Sequence, residues 1–332
     1  MISYYRKEYT MTGSKRKIVT LYPGFADTHK EKIAASAAEY GFEAVFCDDR
    51  ETALREALDA EIVLSYDPAT AKAGTGVKWV CSPSAGVNHF REPLAGTGIM
   101  LTNSAGAHSV TIAEHIIMVT LELMRKRMDY IRLAAQRKWV MDLPVRSIHG
   151  ARIAMLGTGN IGQETAKRLR AFEPESIVGI NRKGMAPDGI FDRIVTIGDI
   201  DSILPETDLL IMSLPSTAET KLLFTEERML RLPAESYIVN VGRGDVLDEK
   251  ALERILRSGK LAGAALDVFE KEPLDPDSTL WDCPGLVLTT HVAGNWTLPL
   301  TVDRITDMFI EDLANYCEGR RLKRLIDLDV GY

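Results

Sequence analysis

The fold is decided by residues 151–183. They open with the apolar run Ala151-Arg152-Ile153-Ala154-Met155-Leu156 and pass through Gly157-Thr158-Gly159-Asn160-Ile161-Gly162. A helical stretch from Gln163 to Phe172 follows, then Ile177-Val178-Gly179-Ile180, ending at Asn181-Arg182-Lys183. This reads as strand, glycine turn, helix, strand. A lone G-x-G-x-x-G carries little weight, but here the strand before it and the helix after it are both present. The first glycine permits the tight turn, the second lets backbone approach a pyrophosphate, and the third lets helix and strand pack closely. Amides and dipole at the helix start then favour phosphate charge. Gly157, Gly159, Asn160, Ile161 and Gly162 are therefore candidate cofactor contacts.

The 332 residues suggest two domains, and 45% hydrophobic with 26% charged residues is ordinary for a globular chain with a sizeable core. The net charge of −7 argues against a general nucleic-acid binder. No apolar stretch is long enough to span a bilayer, and the start, Met1 to Lys7, lacks a signal-peptide apolar region. Residues 1–16 read as a polar tail. The four cysteines, Cys47, Cys81, Cys283 and Cys317, are scattered, which fits buried free thiols in a reducing cytoplasm. No metal-ligand cluster is evident.

Strand-like runs at Lys17–Tyr22, Phe42–Cys47, Glu61–Tyr66, Val77–Cys81 and Ile99–Thr102 alternate with helical stretches at Asp27–Tyr40 and Glu51–Leu58. That alternation implies a parallel sheet with helices on both faces, complete before the glycine motif is reached. A long helix is expected over Val110–Arg127. After the glycine motif come strand candidates at Leu209–Ser213, Tyr237–Val241, Gly263–Asp267 and Val287–Thr289, with helices expected at Asp199–Leu204 and Asp248–Ser258. Together with the two runs of the opening stretch they make a six-strand, doubly wound dinucleotide fold. The helical tail, Leu298 to Glu318, has no strand partner of its own and is expected to return to the first domain. The fold class is thus α/β, two doubly wound parallel-sheet domains, a Rossmann cofactor domain inserted in a flavodoxin-like substrate domain. The expected boundaries are 17–107 plus 297–332 for the substrate domain and 108–296 for the dinucleotide domain.

Loops at strand ends carry the chemistry. Ser82-Pro83-Ser84-Ala85-Gly86-Val87 follows a strand, and its small residues leave backbone N–H groups for an anion. Leu214 and Pro215 end a strand beside the expected cofactor. Three polar residues end late strands of the second unit: Arg243 after Asn240-Val241-Gly242, Glu272 in Asp267-Val268-Phe269-Glu270-Lys271-Glu272-Pro273, and His291 after Leu288-Thr289-Thr290. Each alone reads as a solvated charge or a structural histidine. In an open α/β sheet, however, the carboxyl ends of the strands form the ligand crevice, so the three share one side with the cofactor.

Taken together, these stretches resemble the D-isomer-specific 2-hydroxyacid dehydrogenases over nearly the whole chain after the tail. Asn103 to His115, with Ala113-Glu114-His115, also looks like that family's domain-crossing helix. The resemblance implies catalytic Arg243, Glu272 and His291, and a cleft between two domains. It also implies backbone donors at Ser84, Ala85, Gly86 and Val87 for a substrate carboxylate, and cofactor contacts at Val241 and Asp267. Trp296, in Val292-Ala293-Gly294-Asn295-Trp296, stands where many members have smaller residues and would bear on pocket size.

Charge then dictates the expected reaction, reduction of a small 2-keto acid by a nicotinamide cofactor. Protonated His291 gives a proton to the developing oxyanion. Glu272 orients the imidazole and favours its charged form. Arg243 offers a planar fork of donors to carboxylate and carbonyl. Two alternatives share the fold: a nicotinamide-sensing co-repressor or scaffold, and a formate dehydrogenase-like enzyme, which lacks the His–Glu pairing. At the end of the second strand, where NAD-preferring domains carry an acidic residue, stand Asn181, Arg182 and Lys183. This favours NADP(H) over NAD(H). The apolar surface from Glu114 through Trp139-Val140-Met141 predicts a homodimer.

Overall fold

Neighbouring residues of the first strand are buried on opposite sides. Ile18 joins one apolar cluster with Ile62, Leu64, Trp79 and Phe309, while Val19 joins another with Val63, Val80, Phe90 and Leu101. A strand covered on both faces has near-continuous apolar sequence, which is how these runs read. The computed structural model describes residues 16–185, 189–295 and 297–328. The tail call on 1–16 thus falls, except for Arg16, outside the described residues.

The chain divides into two compact units, residues 1–108 with 296–332, and residues 109–295. The first unit runs β1 (Arg16–Leu21), α1 (Asp27–Glu39), β2 (Phe42–Phe46), α2 (Arg50–Glu56), β3 (Ile62–Ser65), α3 (Pro68–Lys72), β4 (Trp79–Cys81), α4 (Asn88–Leu94) and β5 (Met100–Thr102). Its five strands are all parallel, in the order β2-β1-β3-β4-β5, the flavodoxin-like arrangement. Asp49 and Asp67 cap α2 and α3 by accepting from the Thr52 and Ala69 amides.

The second unit opens with α5 (Ser109–Met124) and α6 (Arg127–Ala135) and continues with β6 (Arg152–Leu156), α7 (Asn160–Leu169), β7 (Ser176–Asn181), β8 (Arg193–Thr196), β9 (Leu209–Met212), α8 (Glu226–Arg231), β10 (Tyr237–Asn240), α9 (Glu249–Arg257), β11 (Gly263–Leu266) and β12 (Leu286–Leu288). The last helix, α10 (Pro299–Cys317), belongs to the first unit, where Val302, Ile305, Phe309 and Leu313 complete one face of the five-stranded sheet. The second sheet has seven parallel strands, in the order β8-β7-β6-β9-β10-β11-β12. Counted from β6 this is the Rossmann order 3-2-1-4-5-6 with a seventh strand at the edge, and the order reverses between β6 and β9.

Several local expectations are corrected. The sheet has seven strands rather than six, because Arg-Ile-Val-Thr at 193–196 pairs with β7 as a short, half-exposed edge whose pattern is too weak to stand out. Asp199–Leu204 is not an α-helix; Ile197–Ser202 forms a 3-10 segment. The long helix expected to Arg127 stops at Met124, and a second helix starts after Lys126, whose φ is 55°.

Candidate active site

The glycine turn is built as its sequence requires. Gly157 has φ 108°, a left-handed conformation that bulky residues avoid, and a Cβ on Gly162 would lie 2.1 Å from the Gly157 carbonyl oxygen. A Cβ on Gly159 would meet nothing within 4 Å, so open space lies beside this backbone. Gly159 is also the N-cap of α7, and no side chain caps that end. Uncapped amides, a positive dipole end and free space beside the turn fit a dinucleotide's pyrophosphate.

At the end of β7 the Asn181 amide is committed to its own turn. Its Oδ1 accepts from the Lys183 and Gly184 amides (2.8 and 2.7 Å), and its Nδ2 donates to Thr158 Oγ1 and the Met185 carbonyl (2.6 and 2.7 Å). Arg182 and Lys183 are exposed beyond it. The strand end therefore presents cations and no carboxylate. Leu214 is buried after β9, Pro215 is exposed, and Val241 is buried after β10.

Arg243 stands on a turn braced from beneath. Asn240, 1% exposed at the end of β10, accepts from the Gly242 amide and donates to the Arg243 carbonyl, each at 3.0 Å. A Cβ on Gly244 would fall 1.9 Å from the Phe269 backbone, so the loops after β10 and β11 are pressed together and only glycine fits. Among the described residues the guanidinium's one hydrogen bond goes to the Gly242 carbonyl (2.6 Å), and it makes no ion pair. Burial lowers its pKa, against the opposing charges of Glu272 and Asp245. A desolvated cation with no anion on it is a site for one.

Glu272 and His291 are joined. Glu272 Oε1 accepts from the Phe269 amide at 2.9 Å, and Oε2 lies 2.6 Å from His291 Nδ1. With an ionised carboxylate, Nδ1 carries the hydrogen of that bond. Among the described residues Nε2 has no partner, and His291 is half exposed. The His291 backbone is left-handed, with φ 57°.

Asp267, expected at the nicotinamide, holds the loop that follows β12. Its side chain is 2% exposed, and its oxygens are taken by the His291 turn: Oδ1 by Thr289 Oγ1 and the Val292 amide (2.7 and 2.9 Å), Oδ2 by the Ala293 amide (3.0 Å). Spacing along the chain held no sign of this. Glu249, at the start of α9, accepts from the Glu270 amide; burial pushes its carboxyl up to about 7, helped by the charges of Glu270 and Glu272. It too was invisible in the sequence, as were the brace from Asn240 and the bond from Ser216 Oγ to Asp245 (2.6 Å).

The loop Ser84–Val87 lies in the first unit, after β4. Asn103 Nδ2 holds the Ala85 carbonyl at 2.8 Å, the Ser104 amide holds that of Ser84 at 3.1 Å, and the Ser84 amide donates to Ser82 Oγ. Among the described residues the amides of Ala85, Gly86 and Val87 have no acceptor. Trp296 lies outside the described residues. No group of three or more His, Cys, Asp or Glu among the described residues could hold a metal ion, and no helix is long and apolar enough to cross a membrane.

The chain as a whole is similar to known proteins. The family model for the D-isomer specific 2-hydroxyacid dehydrogenase NAD binding domain matches residues 117–293. The chain is 31% identical to a glyoxylate reductase of Thermofilum pendens, over 85% of each chain. It superposes with a TM-score of 0.84 on a D-isomer specific 2-hydroxyacid dehydrogenase family protein from Aeromonas salmonicida, 30% identical, covering 95% of this chain and 100% of that one. An NADPH-dependent glyoxylate/hydroxypyruvate reductase from Sinorhizobium meliloti, crystallised with NADP and sulfate, gives 0.80 at 26% identity, with 96% and 100% covered. With a dinucleotide turn, an unpaired arginine and a His–Glu pair on one Rossmann sheet, the chain belongs to the D-isomer-specific 2-hydroxyacid dehydrogenases, NAD(P)-linked oxidoreductases acting on the CH–OH group of donors.

Proposed function

We propose that this enzyme reduces a small 2-keto acid of the glyoxylate and hydroxypyruvate class to its D-2-hydroxy acid, and runs the reverse oxidation. The observation that carries the reading is the half-buried Arg243 guanidinium, without an ion pair among the described residues, at the same strand ends as the His291–Glu272 pair. Arg243 binds the keto acid and polarises its carbonyl. By the family resemblance, the backbone donors of Ser84–Val87 take the carboxylate. A nicotinamide dinucleotide held at the Gly157–Gly162 turn would supply the hydride for the carbonyl carbon. His291 Nε2 gives its proton to the carbonyl oxygen, and Glu272 holds Nδ1–H so that Nε2 faces the reaction. In oxidation His291 takes the proton back.

NADPH is the preferred reductant in this reading. Support comes from Asn181 in place of a carboxylate, from the exposed Arg182 and Lys183, and from the NADPH-dependent Sinorhizobium relative. Exposed apolar residues, Trp139 at 90% and Met141 at 81%, support a homodimer, and light scattering showing a monomer at micromolar protein contradicts it. The enzyme is assigned to the cytoplasm.

The test is initial rates on glyoxylate, hydroxypyruvate, pyruvate and bulkier keto acids with both reductants, in wild type and Arg182→Ala. Turnover of a small keto acid with an NADPH preference that falls about tenfold in Arg182→Ala is expected, one charge-assisted contact being lost. No turnover leaves the binding-only co-repressor. An NADH preference overturns the cofactor assignment.

A further inference from the structure

One titratable side chain beside the site has no task in the reaction above. His115 lies in α5 with its side chain 10% exposed. Its Nε2 is 3.2 Å from Thr289 Oγ1 and 3.9 Å from Asp267 Oδ1, and Thr289 Oγ1 is 2.7 Å from that same Asp267 oxygen. The hydrogens in this chain can be placed by elimination. An ionised carboxylate only accepts, so the Thr289 hydroxyl donates to Asp267. The hydroxyl then offers His115 only lone pairs, so His115 Nε2 carries N–H and donates. Burial lowers the imidazole's pKa, against the charges of Asp267 and Glu122 that face it, which keeps the ring neutral near pH 7.

The far end of the chain holds the acid. Asp267 clamps the Val292 and Ala293 amides with its carboxylate, and its backbone carbonyl accepts from the His291 amide at 2.7 Å. Between those anchors His291 adopts its left-handed φ of 57°. A residue with a side chain stays there only when its surroundings over-determine it. The Asp267 carboxylate can do so only while its own orientation is fixed, and among the described residues the one side-chain hydroxyl that fixes it is Thr289, itself held by His115.

We propose that His115, acting through Thr289, is a positioning residue for His291. The His115–Thr289–Asp267 chain sets the carboxylate that clamps the turn, and the turn sets where the His291 ring stands. The proposal rests on the reading of His291 as the acid, and its test separates the two.

The variants form two pairs. His115→Leu and Thr289→Val remove the polar link, whereas His115→Gln and Thr289→Ser keep a donor and a hydroxyl. Amide hydrogen exchange at Val292 and Ala293 is followed by NMR alongside kcat, KM and nucleotide Kd. The Leu and Val variants are expected to exchange about tenfold faster at these two amides and to lose about tenfold in kcat, as for one hydrogen bond. KM and nucleotide Kd should stay within about twofold. The Gln and Ser variants should remain within about threefold of wild type. Thr289→Val, which barely changes volume, decides the matter if His115→Leu does not fold. Unchanged exchange in Thr289→Val overturns the proposal, as does a Gln variant no better than Leu, or faster exchange with kcat intact. If instead His291→Ala keeps wild-type turnover, the acid assignment fails, while the exchange data still judge the clamp by themselves.

Discussion

Each unit holds a cluster of charges, and the two clusters are built in opposite ways. In the first unit Glu61 is closed on all sides. Arg16 grips it with two bonds (2.9 and 2.8 Å), Tyr316 donates to it at 2.6 Å, and Lys78 lies 3.6 Å away. Burial alone would push its carboxyl up, but these hydrogen bonds and charges outweigh it and hold the group down at about 2. In the second unit Arg243 is desolvated without an ion pair, His291 keeps a left-handed backbone, and burial drives the Glu249 carboxyl up to about 7. Every charge of the first cluster meets its opposite inside the fold. The second cluster leaves a cation and a ring nitrogen for something outside the described residues. Satisfied charge marks structure, and unsatisfied, desolvated charge marks chemistry.

The sharpest way to break this contrast is to remove the acid. His291→Ala should lower kcat by roughly 10²–10⁴-fold, the usual worth of general acid catalysis, with Tm and nucleotide affinity nearly unchanged. A variant that loses stability but keeps its rate would place His291 with Glu61 on the structural side. Next comes Arg243→Lys, which keeps the charge and loses the fork. We expect ~10²–10³-fold lower kcat/KM and a Tm that does not fall, because no internal ion pair is broken. A marked drop in Tm would show that the fold depends on this cation.

Glu61→Gln is the mirror experiment. It should leave kcat unchanged and destabilise by about 1–3 kcal/mol in urea unfolding, the range for charge-assisted hydrogen bonds. The pH sense follows from the depressed carboxyl. The folded value, about 2, lies below the ordinary glutamate value of 4.5, so Glu61 stabilises above pH 4.5 and that contribution is lost as pH falls toward 2. The variant should lack this acid-side loss. Smallest is Glu249→Gln. Its folded value, about 7, lies above the ordinary glutamate value of 4.5, so ionisation costs stability as pH rises from 4.5 to 7. Wild type should therefore lose a little Tm across that window, and the variant should lose less. Parallel Tm curves for wild type and variant would show that this carboxyl is not strained.

Recognition of the fold needed only local signals. Strands buried on both faces are written as apolar runs, and the glycine turn compresses its geometry into six residues, Gly157 to Gly162. The short edge strand Arg193–Thr196 escaped notice because one half-exposed face leaves little apolar pattern. Arg243, Glu272 and His291 could be picked out because strand ends in a doubly wound sheet face one way. Their supports could not.

What the sequence by itself determined is therefore the class of the sheet in each unit, the dinucleotide turn and which polar side chains stand at the strand ends. Each is set by residues close together in the chain, through backbone periodicity or turn sterics. What only the tertiary structure decided is which of those side chains are satisfied and what holds them. Asp267 clamps the His291 turn through amides 25 and 26 residues away, a contact no spacing announces. His115 reaches that clamp across 174 residues of sequence, through Thr289. Hydrogen bonds of that range have no spacing rule, because a polar side chain's partner is set by where folding removes water and not by its position along the chain.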